Sequence, residues 1–182
     1  MHLIVVLLGL TGVLGKLIDT GSTVLVWYRM LIAFLFLSVY IFFKSNPLRV
    51  PKKNFIQIIG IGCIVAAHWL LFFESIKVSN VSVAVVCMGT SSLFSSVLEP
   101  LIIKRKIYLR EIILAILVLV AIGIAMNADF SYVKGYVYGI AAAFLATLFT
   151  ILNALYVDKV ESEKITSIEM LGGFLFVCIY ML

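Results

Sequence analysis

Charge is what this sequence has least of. Only 13% of its residues are Asp, Glu, Lys or Arg, against 64% that are hydrophobic, and the mean hydropathy is +1.21. Soluble domains hold about 45–50% apolar residues, so a water-soluble fold of this size would have no interior large enough for the remainder. Cysteine is scarce too. Cys63, Cys87 and Cys178 all fall within apolar runs and no CxxC spacing occurs, which argues against a disulfide framework or a zinc site and leaves them as small packing residues. A phosphate-binding glycine loop is missing, so nucleotide-driven pumping by this chain is not expected. HExxH, GxSxG and paired carboxylates are missing as well, and with them the usual marks of a hydrolase. The expectation is a protein that is not an enzyme, with no cofactor and no metal site. The opening MHLIVVLLGLTGVLGKLID also lacks the basic flank and small-residue cleavage site of a secretory signal peptide.

What the sequence does contain is long apolar runs, at approximately 2–18, 24–43, 55–76, 81–103, 111–128, 136–157 and 166–182. A bilayer core about 30 Å thick takes around 20 apolar residues per helix, so these runs read as membrane-crossing helices. The fold class expected is an all-α membrane protein, a polytopic helical bundle in contact with the lipid bilayer. The first run begins at Met1 without a basic flank and the last is still apolar at Leu182, so the sequence is expected to be a fragment.

The net charge of +5 could suggest nucleic acid, but the basic residues are parcelled into short loops, and no nucleic-acid partner is expected. Lys and Arg in short loops favour the cytoplasmic side. Lys44, Arg49, Lys52 and Lys53 follow the second run, Lys104, Arg105, Lys106 and Arg110 the fourth, and Lys159 and Lys164 the sixth. Lys16, Lys77 and Lys134 lie on the other side. This bias places the N-terminus in the cytoplasm.

The second run is stated twice. Trp27 to Tyr40 reads WYRMLIAFLFLSVY and Ser167 to Tyr180 reads SIEMLGGFLFVCIY. At a constant offset, Met30, Leu31, Phe34, Leu35, Phe36 and Tyr40 meet Met170, Leu171, Phe174, Leu175, Phe176 and Tyr180. The one charge in each copy changes sign, Arg29 against Glu169. The two runs are an odd number of crossings apart, so the copies are inverted in the membrane. Two similar bundles of opposite sense surround a midplane site that opens to either face as one rocks against the other, the plan of many secondary transporters. A duplication that merely enlarged the bundle is the plainer alternative.

The polar residues inside the runs are the candidates for a substrate pathway. Burying an unpaired guanidinium in a bilayer costs at least about 2.5 kcal/mol, so Arg29 is expected to face the bundle and a partner, or to snorkel outward. By depth, Glu74 or Asp19 suits it better than Glu169. In the fourth run, Ser82, Gly89, Ser92, Ser96 and Glu99 share one helical arc, which suits either a lining wall or close helix packing. Pro100 removes the donor for the Ser96 carbonyl and is expected to bend or end that helix. His68 and Trp69 sit past the middle of the third run. With an ordinary pKa of about 6.5 a histidine can titrate in a proton-coupled cycle, and the alternative is a hydrogen bond to a neighbouring helix. Gly139, Ala143, Ala146, Thr150 and Asn153 make a second small stripe, and Gly9, Gly12 and Lys16 a third, with Lys16 and Asp19 as a membrane anchor or, in the alternative, a gate. The pathway candidates are therefore Arg29, His68, Trp69, Ser92, Ser96, Glu99, Asn153 and Glu169, with no catalytic residue among them. An intramembrane hydrolase pairing His68 with a serine of the Gly89 to Ser92 run would need the two within hydrogen-bond reach.

The runs GLTGVLGKLID, WYRMLIAFLF and HWLLFFESIKVSNVSVAVVCMGTSSLFSS, then a basic loop and IILAILVLVAIGIAM, resemble the EamA-type permeases of the drug/metabolite transporter superfamily. The resemblance covers the whole chain. It implies inverted five-helix repeats, ten helices in all with about seven present, residues 2–128 forming the first repeat and 136–182 the start of the second. It also implies secondary active transport, in the export direction, of small metabolites such as amino acids or related compounds. The location implied is the plasma membrane, the inner membrane of a bacterium, and the partners are a small-molecule solute and, for a homodimer, a second copy of the chain. Relatives often carry a proline in the middle of the fourth helix and a glutamate at its cytoplasmic end. Here Gly89-Thr90 and Lys104-Arg105 stand near those places, so no role for that glutamate carries over. A non-transporting scaffold or assembly subunit is the alternative reading.

Overall fold

A chain surrounded by hydrocarbon must satisfy every backbone N–H and C=O by itself, and a helix does so locally. In the computed structural model, which describes residues 2–44, 50–125 and 130–182, the apolar runs are accordingly helices. They are α1 (His2–Leu17), α2 (Ser22–Phe43), α3 (Lys52–Val78), α4 (Val81–Met88), α5 (Ser91–Ile103), α6 (Leu109–Ala125), α7 (Val133–Ala154) and α8 (Ser162–Tyr180). No strand occurs among the described residues. Of these residues, the spans Ser22–Phe43, Lys52–Val78, Val81–Ile103 and Val133–Ala154 are long and apolar enough to cross a membrane. Arg49 and the end of the fifth run at 126–128 lie outside the described residues.

Two local features differ from the sequence expectation. Pro100 does not end the fourth span: it is buried inside α5, which continues to Ile103. The interruption comes earlier, at Gly89 and Thr90. There the backbone tightens to i→i−3 hydrogen bonds, from Gly89 N to Val86 O, Thr90 N to Cys87 O and Ser92 N to Gly89 O. The side chains do the same, Thr90 Oγ1 donating to Cys87 O, Ser91 Oγ to Met88 O and Ser92 Oγ to Gly89 O. Hydroxyls that compete for the helix's own carbonyls bend it, and a tightened turn inside a span is a recognised hinge form. Pro100 costs one bond near the C-terminal end, where few remain to be lost. The second difference is Lys164, expected in a loop. It lies in the first turns of α8, 6% exposed and bonded to Glu161 Oε1 at 3.1 Å. Hydropathy reports only the apolar body of α8 and overlooks its polar first turn.

The helices pack as two units, and each is built around small residues. Unit 1 comprises residues 1–22 and 68–148. Its α1 approaches α4 at Gly12, where an added Cβ would lie 3.1 Å from Val81, and meets α3 at Gly15, where it would overlap the Phe73 ring. The far ends of α1 and α3 exchange lysines: Lys16 Nζ donates to Ile76 O at 3.2 Å and Lys77 Nζ to Ile18 O at 3.4 Å. Both cations thus cap carbonyls that a helix C-terminus leaves open. Gly135 and Gly139 bring α7 against Ser79 and Cys87, and Ser75 Oγ donates to Gly135 O at 2.7 Å. Asn80 caps α4 by accepting from Val83 N at 2.9 Å. α6 follows α5 through a turn closed by Arg105, which bonds Glu99 Oε1 at 3.2 Å and Glu111 Oε2 at 2.9 Å.

Unit 2 comprises residues 23–67 and 149–182. α2 and α8 run antiparallel in it. Trp27, early in α2, donates its Nε1 hydrogen to Cys178 Sγ at 3.2 Å and packs its ring on Phe174, late in α8. At the opposite ends Lys44, just after α2, pairs with Glu163 in the first turn of α8. α3 crosses α8 with backbones in direct contact, Gly62 against the Glu169 carbonyl and Gly172 against the Ile59 carbonyl. Small residues allow that approach, the usual basis of helix association in lipid. Ile58, Val160, Ile165 and Ile168 form a buried apolar cluster beside it. Phe36, Phe42 and Phe43 of the α2 region are exposed, as side chains whose solvent is lipid can be.

Candidate functional site

The pathway candidates divide between the two units. His68, Trp69, Ser92, Ser96 and Glu99 belong to unit 1, and Arg29, Asn153 and Glu169 to unit 2.

In unit 1, His68 is buried and its Nδ1 lies 2.8 Å from Ala142 O. A carbonyl only accepts, so Nδ1 carries the hydrogen. The imidazole thus ties α3 to α7, the helix-bonding alternative considered for it. Trp69 continues an aromatic ladder along α3, stacked on Phe73 with ring centres 5.6 Å apart. The serines of the fourth-span stripe occupy different surroundings: Ser92 is exposed, Ser96 is buried, and both hydroxyls are given to backbone carbonyls, Gly89 O and Leu93 O. Glu99 accepts from Ser95 and from Arg105. Glu74 accepts from Ser22 Oγ at 2.6 Å, at the start of α2.

In unit 2, two candidates chosen separately from the sequence are joined. Asn153, at the end of α7, gives a side-chain hydrogen bond to Glu169. Glu169 is 4% exposed, and its Oε1, like Asn153 Oδ1, is buried without a partner. Arg29 is half-buried on α2 and makes interactions of its own. Missed from the sequence were Gly62, Gly172 and Gly173, which set the crossing that buries Glu169. The signal was available as the GIGC run of α3 and the Gly-Gly pair of α8, but not the register between them.

Charges outside the spans are settled by their neighbours. The hydrogen bond from Lys44 holds the Glu163 carboxyl below its ordinary value and the Lys44 ammonium above its own. The hydrogen bond to Glu111, seconded by Glu99, raises Arg105. Among the described residues, no three His, Cys, Asp or Glu side chains gather where they could hold a metal ion.

Comparison with known proteins bears on the whole. The EamA-like transporter family matches residues 1–127. This chain belongs to the EamA-like transporter family. An "Uncharacterized transporter" of Haemophilus influenzae is 27% identical to it over 161 residues, covering 84% of the chain and 53% of that protein. The chain thus spans about half the length of this curated relative. No solved structure matches it. Family membership makes this EamA-like chain a multi-pass membrane protein of a transporter family, and points to transport rather than to catalysis.

Proposed function

We propose that this EamA-like chain serves secondary active transport of small metabolites, amino acids or related compounds, in the export direction. Residues 2–128 form a first repeat and 136–182 the beginning of an inverted second, and transport proceeds by alternating access between them. The observation that carries the reading is the antiparallel course of α2 and α8, the two segments that share the WYRMLIAFLF and SIEMLGGFLF patterns. Similar helices of opposite sense are what alternating access by rocking requires. Arg29, His68, Trp69, Ser92, Ser96, Glu99, Asn153 and Glu169 are the pathway residues of this reading. The membrane is the plasma membrane, with the N-terminus in the cytoplasm.

The test is efflux of a panel of labelled amino acids from cells producing the full protein. Arg29→Ala and His68→Ala are expected to reduce efflux of at least one solute without loss of the protein from the membrane. A scaffold or assembly subunit would leave every flux untouched in both variants, and that result would overturn the reading.

A further inference from the structure

The two orphaned atoms of unit 2, Asn153 Oδ1 and Glu169 Oε1, belong to one hydrogen-bonded pair. With Asn153 Oδ1 left unpartnered, the amide meets the carboxyl through its Nδ2 hydrogens. A primary amide and a carboxyl group joined this way are one bond short of the closed acid–amide ring. As an anion, Glu169 offers acceptors alone, and Oε1 and Oδ1 are then two acceptors with nothing to accept. One hydrogen on Oε1 turns the same two atoms into a donor and an acceptor. The surroundings press the same way, since a lone carboxylate in an apolar interior is costly and Glu169 is 4% exposed at the glycine crossing of α3 and α8.

We propose that Glu169 and Asn153 form a proton-binding site, in which one proton on Glu169 Oε1 is shared with Asn153 Oδ1. Loading takes one proton from water and forms one O–H bond. Discharge breaks that bond, returns the proton to water and leaves one negative charge on the carboxylate. Discharge therefore needs water at the pair, which ties proton release to the opening of the α7–α8 contact.

Five titratable groups on the elements around the pair have their own engagements. The Cys63 thiol of α3 points to the carbonyls of Ile59 and Gly172. Lys164 is bonded to Glu161, and Glu163 to Lys44. Tyr156 packs on the Ile58 cluster. Arg29 of α2 precedes Met30, whose sulfur lies against Gly173, and has interactions of its own.

As the coupling ion of a carrier, the proton rests on the function proposed above; as a binding site it is tested without transport. Infrared difference spectra of the purified chain in lipid nanodiscs, recorded as the pH is stepped, are expected to show a carboxylic-acid carbonyl band that titrates. The band should vanish in Glu169→Gln, shift in Asn153→Ala, and ignore exchange of potassium for sodium. Glu169→Gln places an amide N–H where the proton would sit, so the ring closes and the variant should keep the wild-type circular dichroism and melting. Absence of any Glu169-dependent acid band across the pH range overturns the site, as does a band abolished by sodium at constant pH. A titrating band alongside efflux indifferent to Arg29→Ala and His68→Ala would uphold the site and sink the carrier.

Discussion

One methyl group is enough to probe the α3–α8 crossing. A Cβ at Gly62 would overlap the Glu169 carbonyl, and one at Gly172 would lie 2.5 Å from the Ile59 carbonyl, whereas Gly60 has nothing within 4 Å. Backbone cannot swing aside as a flexible side chain can, so Gly62→Ala and Gly172→Ala should each cost about 1–3 kcal/mol. Gly60→Ala should be neutral or stabilising by up to about 1 kcal/mol, through helix propensity. Unfolding midpoints in mixed detergent micelles separate the three. A pH effect belongs to the same scale. The lowered Glu163 carboxyl contributes stability above its unfolded value and loses it as pH falls through its folded one; the raised Lys44 contributes at lower pH and loses it as pH rises through its folded value. Melting curves of Lys44→Ala should therefore lack an acid-side slope that the wild type shows, and added salt should shrink the difference because Lys44 is exposed and Glu163 partly so.

The fourth span shows how far a helix could be read in advance. Its limits, 81 and 103, followed from hydropathy alone and agree with the structure. Its break did not. Proline was the visible breaker, yet the interruption falls at Gly89-Thr90, where three successive hydroxyls turn back on Cys87, Met88 and Gly89 carbonyls. Serine and threonine look alike in sequence whether they face a solute, a neighbouring helix or their own backbone, so the stripe was legible and its use was not. Replacing Thr90, Ser91 and Ser92 by Val, Ala and Ala should straighten the span. Spin labels at the exposed positions 82 and 101 should then move apart in electron double-resonance measurements. At the other end, Lys104 caps α5 in the left-handed region with φ 59°, a conformation that costs a side-chain-bearing residue about 1 kcal/mol. Lys104→Gly should recover part of that as a higher melting temperature. The α7–α8 pair was half legible: Asn153 and Glu169 each stood out as polar residues within apolar runs, but their meeting depends on the turn at 155–159, whose course periodicity does not encode.

For the molecule as a whole, the loop charges make a prediction that needs no solute. With Cys63, Cys87 and Cys178 replaced, single cysteines at Lys106 and Lys134 should react with an impermeant maleimide from opposite sides, Lys106 only after the cytoplasmic face is opened. Labelling of both from the same side would overturn the assigned orientation. The exchange of lysines between α1 and α3 has a mechanical consequence at this scale. A single contact between two rods is a pivot, whereas Lys16 on the Ile76 carbonyl and Lys77 on the Ile18 carbonyl fasten the two helix ends at separate points. Two fastenings resist rotation as well as separation, so the ends of α1 and α3 behave as one strut, and any displacement of one is delivered to the other.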